Sequence, residues 1–290
     1  MSAANVEYKV DSVLNAPSSL DDILDKRLVA SSFSKAANTY NAAAHLQKAV
    51  ATNLMKTVDA VGWRPERCAK ALDMGTGTGY MAPVIKQHFG VESLIALDLA
   101  EGMLNFGQRQ PDCRSAVDGF VCADIENLPF AASQFDLIFS SLAVQWCHAF
   151  STVIEQVADA LKPGGTACLS TLLQGTLHEL QSAWSVVDGF QHVNQFLTID
   201  AVKQILVNAK GESFQDFRVV QETRELQYDS VRNLSRELKD LGAHNVTPKR
   251  STHVTGKQRI RALQAAYEHY RMANGKLPAT YNVCYILLKK

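Results

Sequence analysis

Three carboxylates and a glycine loop stand at spacings that could hold a nucleotide-type ligand. Residues Ala71 to Gly79 read Ala-Leu-Asp-Met-Gly-Thr-Gly-Thr-Gly, Asp98 ends the apolar run Leu94-Ile95-Ala96-Leu97, and Asp124 follows Gly119 to Cys122. A strand through Leu72 would hand Asp73 to the mouth of the loop, where Gly75, Gly77 and Gly79 let backbone amides approach a ligand. Asp98 then suits a ribose, because one carboxylate offers two oxygens to two hydroxyl donors. The dinucleotide fingerprint needs its third glycine three residues after the second, and Tyr80 occupies that place. The phosphate loop of nucleotide hydrolases fails as well, since no Gly-Lys-Ser/Thr closes this one.

Such acids need strands to carry them. Strand candidates at Ala69 to Leu72, Leu94 to Leu97, Gly119 to Cys122, Phe135 to Ser140 and Ala167 to Leu172 alternate with helical stretches, which argues a parallel sheet covered by helices. Phe33, Ala37, Tyr40, Leu46, Val50, Leu54 and Val58 recur at helical spacing, so helices precede the first strand. Lys162-Pro163-Gly164-Gly165 reads as a turn between a helix and the fifth strand. After Leu173 come a helix capped by Thr198, a long strand from Phe214 to Tyr228, two amphipathic helices and a terminal strand from Tyr281 to Leu288. The expected organisation is a flexible tail over 1–20, a main domain over 21–228 plus 279–290 with a helical N-terminal cap, and a helical lid over 229–278.

The composition is that of a soluble globular chain, with 47% hydrophobic residues, 20% charged residues and a formal net charge of zero, so bulk charge selects no partner. The six cysteines form no Cys-x-x-Cys pair or metal-like spacing, so they are expected to be reduced and no metal is expected. Glu7, Lys9 and Asp11 interrupt any apolar signal core, and no stretch reaches membrane-spanning length. A cytoplasmic protein with no membrane partner is expected.

The glycine loop and its acids resemble the cofactor motifs of class I S-adenosylmethionine methyltransferases. That resemblance implies an α/β fold: a Rossmann-like sheet, mostly parallel with an antiparallel last strand, with helices on both faces. It assigns Asp73 to the ammonium of S-adenosylmethionine, Met74, Gly75, Gly77 and the following amides to the carboxylate end, and Asp98 to the ribose. Asp124 and Ile125 would meet the adenine, Leu99 and Met103 would pack on its ring, and Ser140 would border the site. Tyr40 falls near the amino-acid end of the cofactor.

A narrower resemblance rests on Phe135-Asp-Leu-Ile-Phe-Ser140-Ser-Leu-Ala-Val-Gln145-Trp146-Cys147, Ser32 to Ala37 with Tyr40, Asp124 to Pro129, Leu173-Gln174-Gly175 and Leu238 to Ala243. From about Ser32 to the C-terminus the chain resembles the malonyl-acyl-carrier-protein O-methyltransferases of biotin synthesis (the BioC family). Met74 stands where many relatives have a small residue. The resemblance implies methyl transfer to the free carboxylate of a malonyl thioester, with S-adenosylhomocysteine as the second product and an acidic acyl carrier protein as partner. No general base is then needed, because a malonyl carboxyl with a pKa of roughly 3 to 4 is already ionised at neutral pH.

Orientation falls to Gln145 and Trp146, and Arg236, Lys239 and Arg250 are candidate holders of the carboxylate. From Asp229 to Lys276 the chain has ten Lys/Arg against four acids, which would steer an acidic carrier, with Lys257, Arg259 and Arg261 as docking residues. The aromatic and arginine interleaving of common RNA-binding modules is absent, so nucleic acid is not an expected partner. Two alternatives stay open: a small-molecule methyltransferase with a quinone or phenol acceptor, and a non-catalytic binding protein of the same fold.

Overall fold

The middle of the sheet is apolar on both faces because helices cover both faces. A computed structural model describes residues 24–243 and 256–290, so the expected tail over 1–20 lies outside the described residues. Helices α1 (Lys26–Ala43) and α2 (His45–Val61) lead into β1 (Cys68–Met74), α3 (Ala82–Phe89), β2 (Val91–Asp98), α4 (Glu101–Gln108), α5 (Pro111–Ala116), β3 (Gly119–Cys122) and β4 (Phe135–Ser141). Then come α6 (Phe150–Ala160), β5 (Leu161–Leu172), α7 (His178–Ser185), α8 (Ile199–Ala209), β6 (Asp216–Tyr228), α9 (Val231–Asp240), α10 (Lys257–Tyr267) and β7 (Leu277–Lys289).

The strands lie in the order β3-β2-β1-β4-β5-β7-β6, parallel except at β7, which runs antiparallel to both neighbours. Phe135, Leu137, Ile138 and Phe139 of β4 are all buried, as expected of a strand packed on both sides. Leu54 and Val58 of α2 and Ile85 of α3 close one face, while Val153 and Val157 of α6 and Val202 and Leu206 of α8 close the other. The edge strand β6 has half-buried or exposed residues along almost its whole length, with Arg218, Glu222 and Arg224 among them, a pattern that suits an edge.

Lys162-Pro163-Gly164-Gly165 corrects the sequence reading. These residues form no separate turn but a bulged start to β5, where the ladder steps from Phe135↔Leu161 to Leu137↔Thr166. Gly164, at φ +78°, directs its N–H to the Lys290 carbonyl at 2.7 Å, so the last residue of the chain holds the bulge.

Register decides where the β6–β7 connection emerges. Leu172, near the carboxyl end of β5, pairs with Val283, and β7 begins further out at Leu277, opposite Tyr228 of β6. Helices α9 and α10 therefore leave the sheet at the carboxyl ends of the parallel strands, where open α/β sheets bind ligands. The C-terminus of α9 rests on α1: Thr39 Oγ1 donates to the Asp240 carbonyl at 2.7 Å, and Gly242 lies too close to the Ser32 carbonyl to accept a side chain.

Candidate functional site

The strand order reverses between β1 and β4, and Asp73 sits near the carboxyl end of β1 at that switch. Asp73 is only 4% exposed, and Thr76 Oγ1 donates to its Oδ2 at 2.6 Å. Burial pushes its carboxyl up to about 7, against the Thr76 hydrogen bond and with help from the nearby Asp98 charge. A ligand ammonium placed beside it would draw Asp73 back to its ionised form.

Asp98 ends β2. Its Oδ2 accepts the Gly77 N–H at 2.7 Å and its Oδ1 accepts the Ala100 N–H at 2.8 Å. Burial raises its pKa, opposed by the amides of Ala100, Gly77 and Leu99. Each oxygen keeps acceptor capacity for a further donor, as a ribose diol requires.

The loop amides are less available than the sequence implied. Gly75 and Thr76 both donate to the Leu97 carbonyl, at 2.8 and 2.9 Å, Gly77 donates to Asp98, and Gly79 donates to the Thr76 carbonyl at 3.0 Å. The loop turns back onto β2 and uses these donors to close itself. Gly75 is required here: its φ is +76°, and a Cβ would fall 2.2 Å from that of Ala143. Met74 is fully buried, packed with Leu72, Leu97 and Ile138 in the core on the α6 side. Strand alternation places Ser140 on that same side, where its hydroxyl is buried without a hydrogen-bond partner.

Met103 packs with Ala37 and Ala100 against Phe33 and Tyr40, so α4 and α1 share a small core beside the loop. Leu99 is half-buried, and Ile125 is buried with the α6-side core. Asp124 accepts the Glu126 N–H at 2.9 Å and pairs with Lys26 of α1, which also pairs with Glu126. Burial works against the Lys26 ammonium, yet hydrogen bonds to these two acids hold its pKa above the usual lysine range. An adenine amine reaching Asp124 would share that carboxylate with Lys26.

From this crevice a cavity of about 200 Å³ runs between α1, α2, the loop before α8, and α9. Tyr40 joins the two spaces: its ring lies 3.9 Å from where a Cβ on Gly77 would sit, and it also lines the cavity. Trp146 lines the cavity too and meets Phe33 edge-on, with centroids 5.2 Å apart. Burial, then the Asp98 charge, push the Tyr40 phenol well above its ordinary range, so it stays protonated.

Gln145 also lines the cavity and is anchored within its own turn. Its Nε2 donates to the Leu142 carbonyl at 2.7 Å, which uses one of the two amide N–H groups, and Oε1 is buried without a partner. Gln145 therefore has an unpartnered acceptor at Oε1, and its amide keeps a second N–H besides the one given to Leu142. Gln47 Oε1 and Asn194 Oδ1, in residues that line the same cavity, are likewise buried without partners.

The expected cations do not gather here. Arg236 and Lys239 are exposed on α9 and do not line the cavity, because the inward positions of that helix belong to Leu234, Leu238 and Leu241. Arg250 lies outside the described residues. Lys257 and Arg261 are exposed on α10, whereas Arg259 pairs with Asp188 and lies over the Phe190 ring at 5.6 Å. Sequence reasoning missed Gln47, His192 and Asn194. The spacing of Asp188, His192 and Asn194 was the available signal, and without a local secondary-structure pattern it pointed nowhere.

The arrangement can hold a ligand with an ammonium and a diol beside a mainly apolar cavity that has few polar groups. The family model "Methyltransferase domain" matches residues 72–169, the span from β1 into β5. A biotin biosynthesis bifunctional protein BioHC from Cellvibrio japonicus is 44% identical over 92% of this chain and 51% of its own length. This chain thus spans about half the length of the first such relatives it matches. A malonyl-[acyl-carrier protein] O-methyltransferase from Methylococcus capsulatus is 36% identical over 93% of this chain and 95% of its own. In fold, the chain is similar to the crystal structure of YcgJ protein from Bacillus subitilis, at a TM-score of 0.55 and 16% identity over 82% of this chain and 97% of that one. Identity at this level, spanning most of both chains, shows that the chain belongs to the malonyl-[acyl-carrier protein] O-methyltransferase family.

Proposed function

We propose that this chain transfers a methyl group from S-adenosylmethionine to the free carboxylate of a malonyl thioester borne by an acidic acyl carrier protein, an early step of biotin synthesis. The observation that carries this reading is the junction at Tyr40, where the crevice of Asp73 and Asp98 meets a cavity under α9. The named malonyl-carrier relatives supply the acceptor.

When bound, the cofactor supplies an electrophilic methyl on a sulfonium. Asp73 would hold its ammonium, Asp98 its ribose, and Asp124 with Ile125 its adenine. In the transfer an oxygen–methyl bond forms as the sulfur–methyl bond breaks, both electrons stay on sulfur, and no proton moves. The chain therefore has to align and desolvate rather than abstract. Phe33, Tyr40 and Trp146 exclude water from the junction, and the buried oxygens of Gln47, Gln145 and Asn194 suit the amide N–H groups of a pantetheine-like arm. The segment 229–278 would act as the substrate subdomain, presenting Lys257 and Arg261 to the carrier. No metal is invoked.

The test is incubation of the purified chain with S-adenosylmethionine and malonyl-loaded carrier, followed by mass spectrometry of the intact carrier. A gain of one methylene mass is expected. Its absence under conditions where S-adenosylhomocysteine binds overturns the acceptor assignment.

A further inference from the structure

An ionised malonyl carboxylate entering this cavity would be an uncompensated charge among leucines and aromatic rings, a costly arrangement without a partner. Among the described residues that line the cavity there is no lysine or arginine. Glu237 has the wrong sign, and its Oε1 already accepts the Tyr228 hydroxyl at 2.8 Å. The amide oxygens of Gln47, Gln145 and Asn194 are acceptors. Among the described residues that line the cavity, His192 is the one whose side chain can become a cation.

His192 is also unusually well braced. Its ring stacks on Trp184 with centroids 3.7 Å apart and planes 8° from parallel, and its Nε2 lies 2.8 Å from Asp188 Oδ1. Asp188 is itself anchored, accepting the Phe190 N–H at 2.9 Å and pairing through Oδ2 with Arg259 of α10. Burial disfavours the Asp188 carboxylate, but Arg259, the Phe190 amide and His192 hold its pKa below the usual range. An ionised carboxylate only accepts, so Nε2 must carry the proton of that bond. Nδ1 is then the nitrogen left for a ligand, and in the imidazolium it becomes a donor.

We propose that protonated His192, braced by Asp188, receives the free carboxylate of the acceptor through Nδ1–H, and that Arg259 acts as a positioning residue through Asp188. The proposal rests on the carboxyl-methylation reading and names the holder that reading requires. It also gives the product a reason to leave: methylation turns the carboxylate into a neutral ester, and the ion pair with His192 is lost. The charged or titratable groups that bond the ring, pair with its partner or line the same cavity are Asp188, Arg259 of α10, Glu237 of α9, Tyr281 of β7 and Tyr40 of α1. Of these, Asp188 is the direct partner.

The experiment compares the native chain, His192→Gln and Asp188→Asn with malonyl-loaded carrier across pH, alongside calorimetric affinity for S-adenosylhomocysteine. His192→Gln is expected to raise the KM for malonyl carrier about ten- to a hundredfold, the worth of a hydrogen bond to a charged group, and to leave homocysteine-product affinity unchanged. The native kcat/KM is expected to fall at alkaline pH, and His192→Gln to lack that limb. Asp188→Asn removes the anionic partner of the ring, so the limb should move to lower pH. If His192→Gln fails to fold, the Asp188→Asn profile decides alone. A native KM and an unmoved alkaline limb in these variants overturn the His192 assignment while the acceptor reading stands. No methyl transfer by the native chain overturns both.

Discussion

The Gly77 amide donates to Asp98 Oδ2 at 2.7 Å, so the acid assigned to the ribose also ties the glycine loop to the end of β2. Its other oxygen accepts from Ala100, which fixes the carboxylate plane before a ligand arrives. Asp98 is thus a brace as well as the proposed ribose acid, and the two roles separate in its variants.

Asp98→Ala should weaken binding of S-adenosylhomocysteine by about 1 to 3 kcal/mol, through lost ligand hydrogen bonds and a loosened loop. Asp98→Asn retains an oxygen acceptor and should lose less. Isothermal calorimetry reads both, and equal affinity for the Ala variant and the native chain would refute the ribose assignment.

Asp73 predicts a pH dependence whose sign is fixed by its burial. With its carboxyl pushed up to about 7, the folded chain keeps a proton that the unfolded chain releases near the ordinary carboxylate range. Between those values the native state binds more protons, so this group makes ligand-free stability fall as pH rises from about 4 towards 7. Asp73→Asn should remove that part of the slope in thermal unfolding measured from pH 5 to pH 8. Cofactor affinity should move oppositely in the native chain, strengthening as pH rises through about 7, because the ionised carboxylate is the proposed ammonium partner. A native chain whose affinity is flat across that range would remove Asp73 from the ammonium site.

The cations of α10 divide into two kinds. Lys257 and Arg261 are exposed and available to an acidic carrier, whereas Arg259 is committed to Asp188. Reversing Lys257 and Arg261 to Glu should raise the KM for malonyl carrier about three- to tenfold, with a smaller effect on malonyl-coenzyme A and a loss of the difference at high salt. Equal effects on both acceptors would argue against docking at this face. Arg259→Glu should differ by also affecting the small acceptor, since it unsettles Asp188 beside the cavity.

Much of the frame was legible because each element announces itself locally. The apolar runs ending at Asp73 and Asp98 lie within single strands, and the glycine loop needs only its own neighbours to turn. The N-cap at Thr198 was equally plain, its side chain accepting the Ala201 N–H at 3.1 Å. The bulge at Lys162 to Gly165 was not, because its stabilising partner is the carbonyl of Lys290 at the far end of the chain.

The family and the placing of the three acids at strand ends were legible in sequence alone, since contiguous motifs at strand ends have one way to be placed in a parallel sheet. The cavity proposed for the acceptor was decided by tertiary structure. Gln47, Gln145, His192 and Glu237 come from four separate segments, and no spacing connects them. Nor does sequence show which way a charge faces: Arg236, Lys239 and Arg259 read alike, yet packing sends two to solvent and ties the third to Asp188. A cation on an amphipathic helix costs nothing while it remains in water, so its inward or outward role is set by the elements that pack around it.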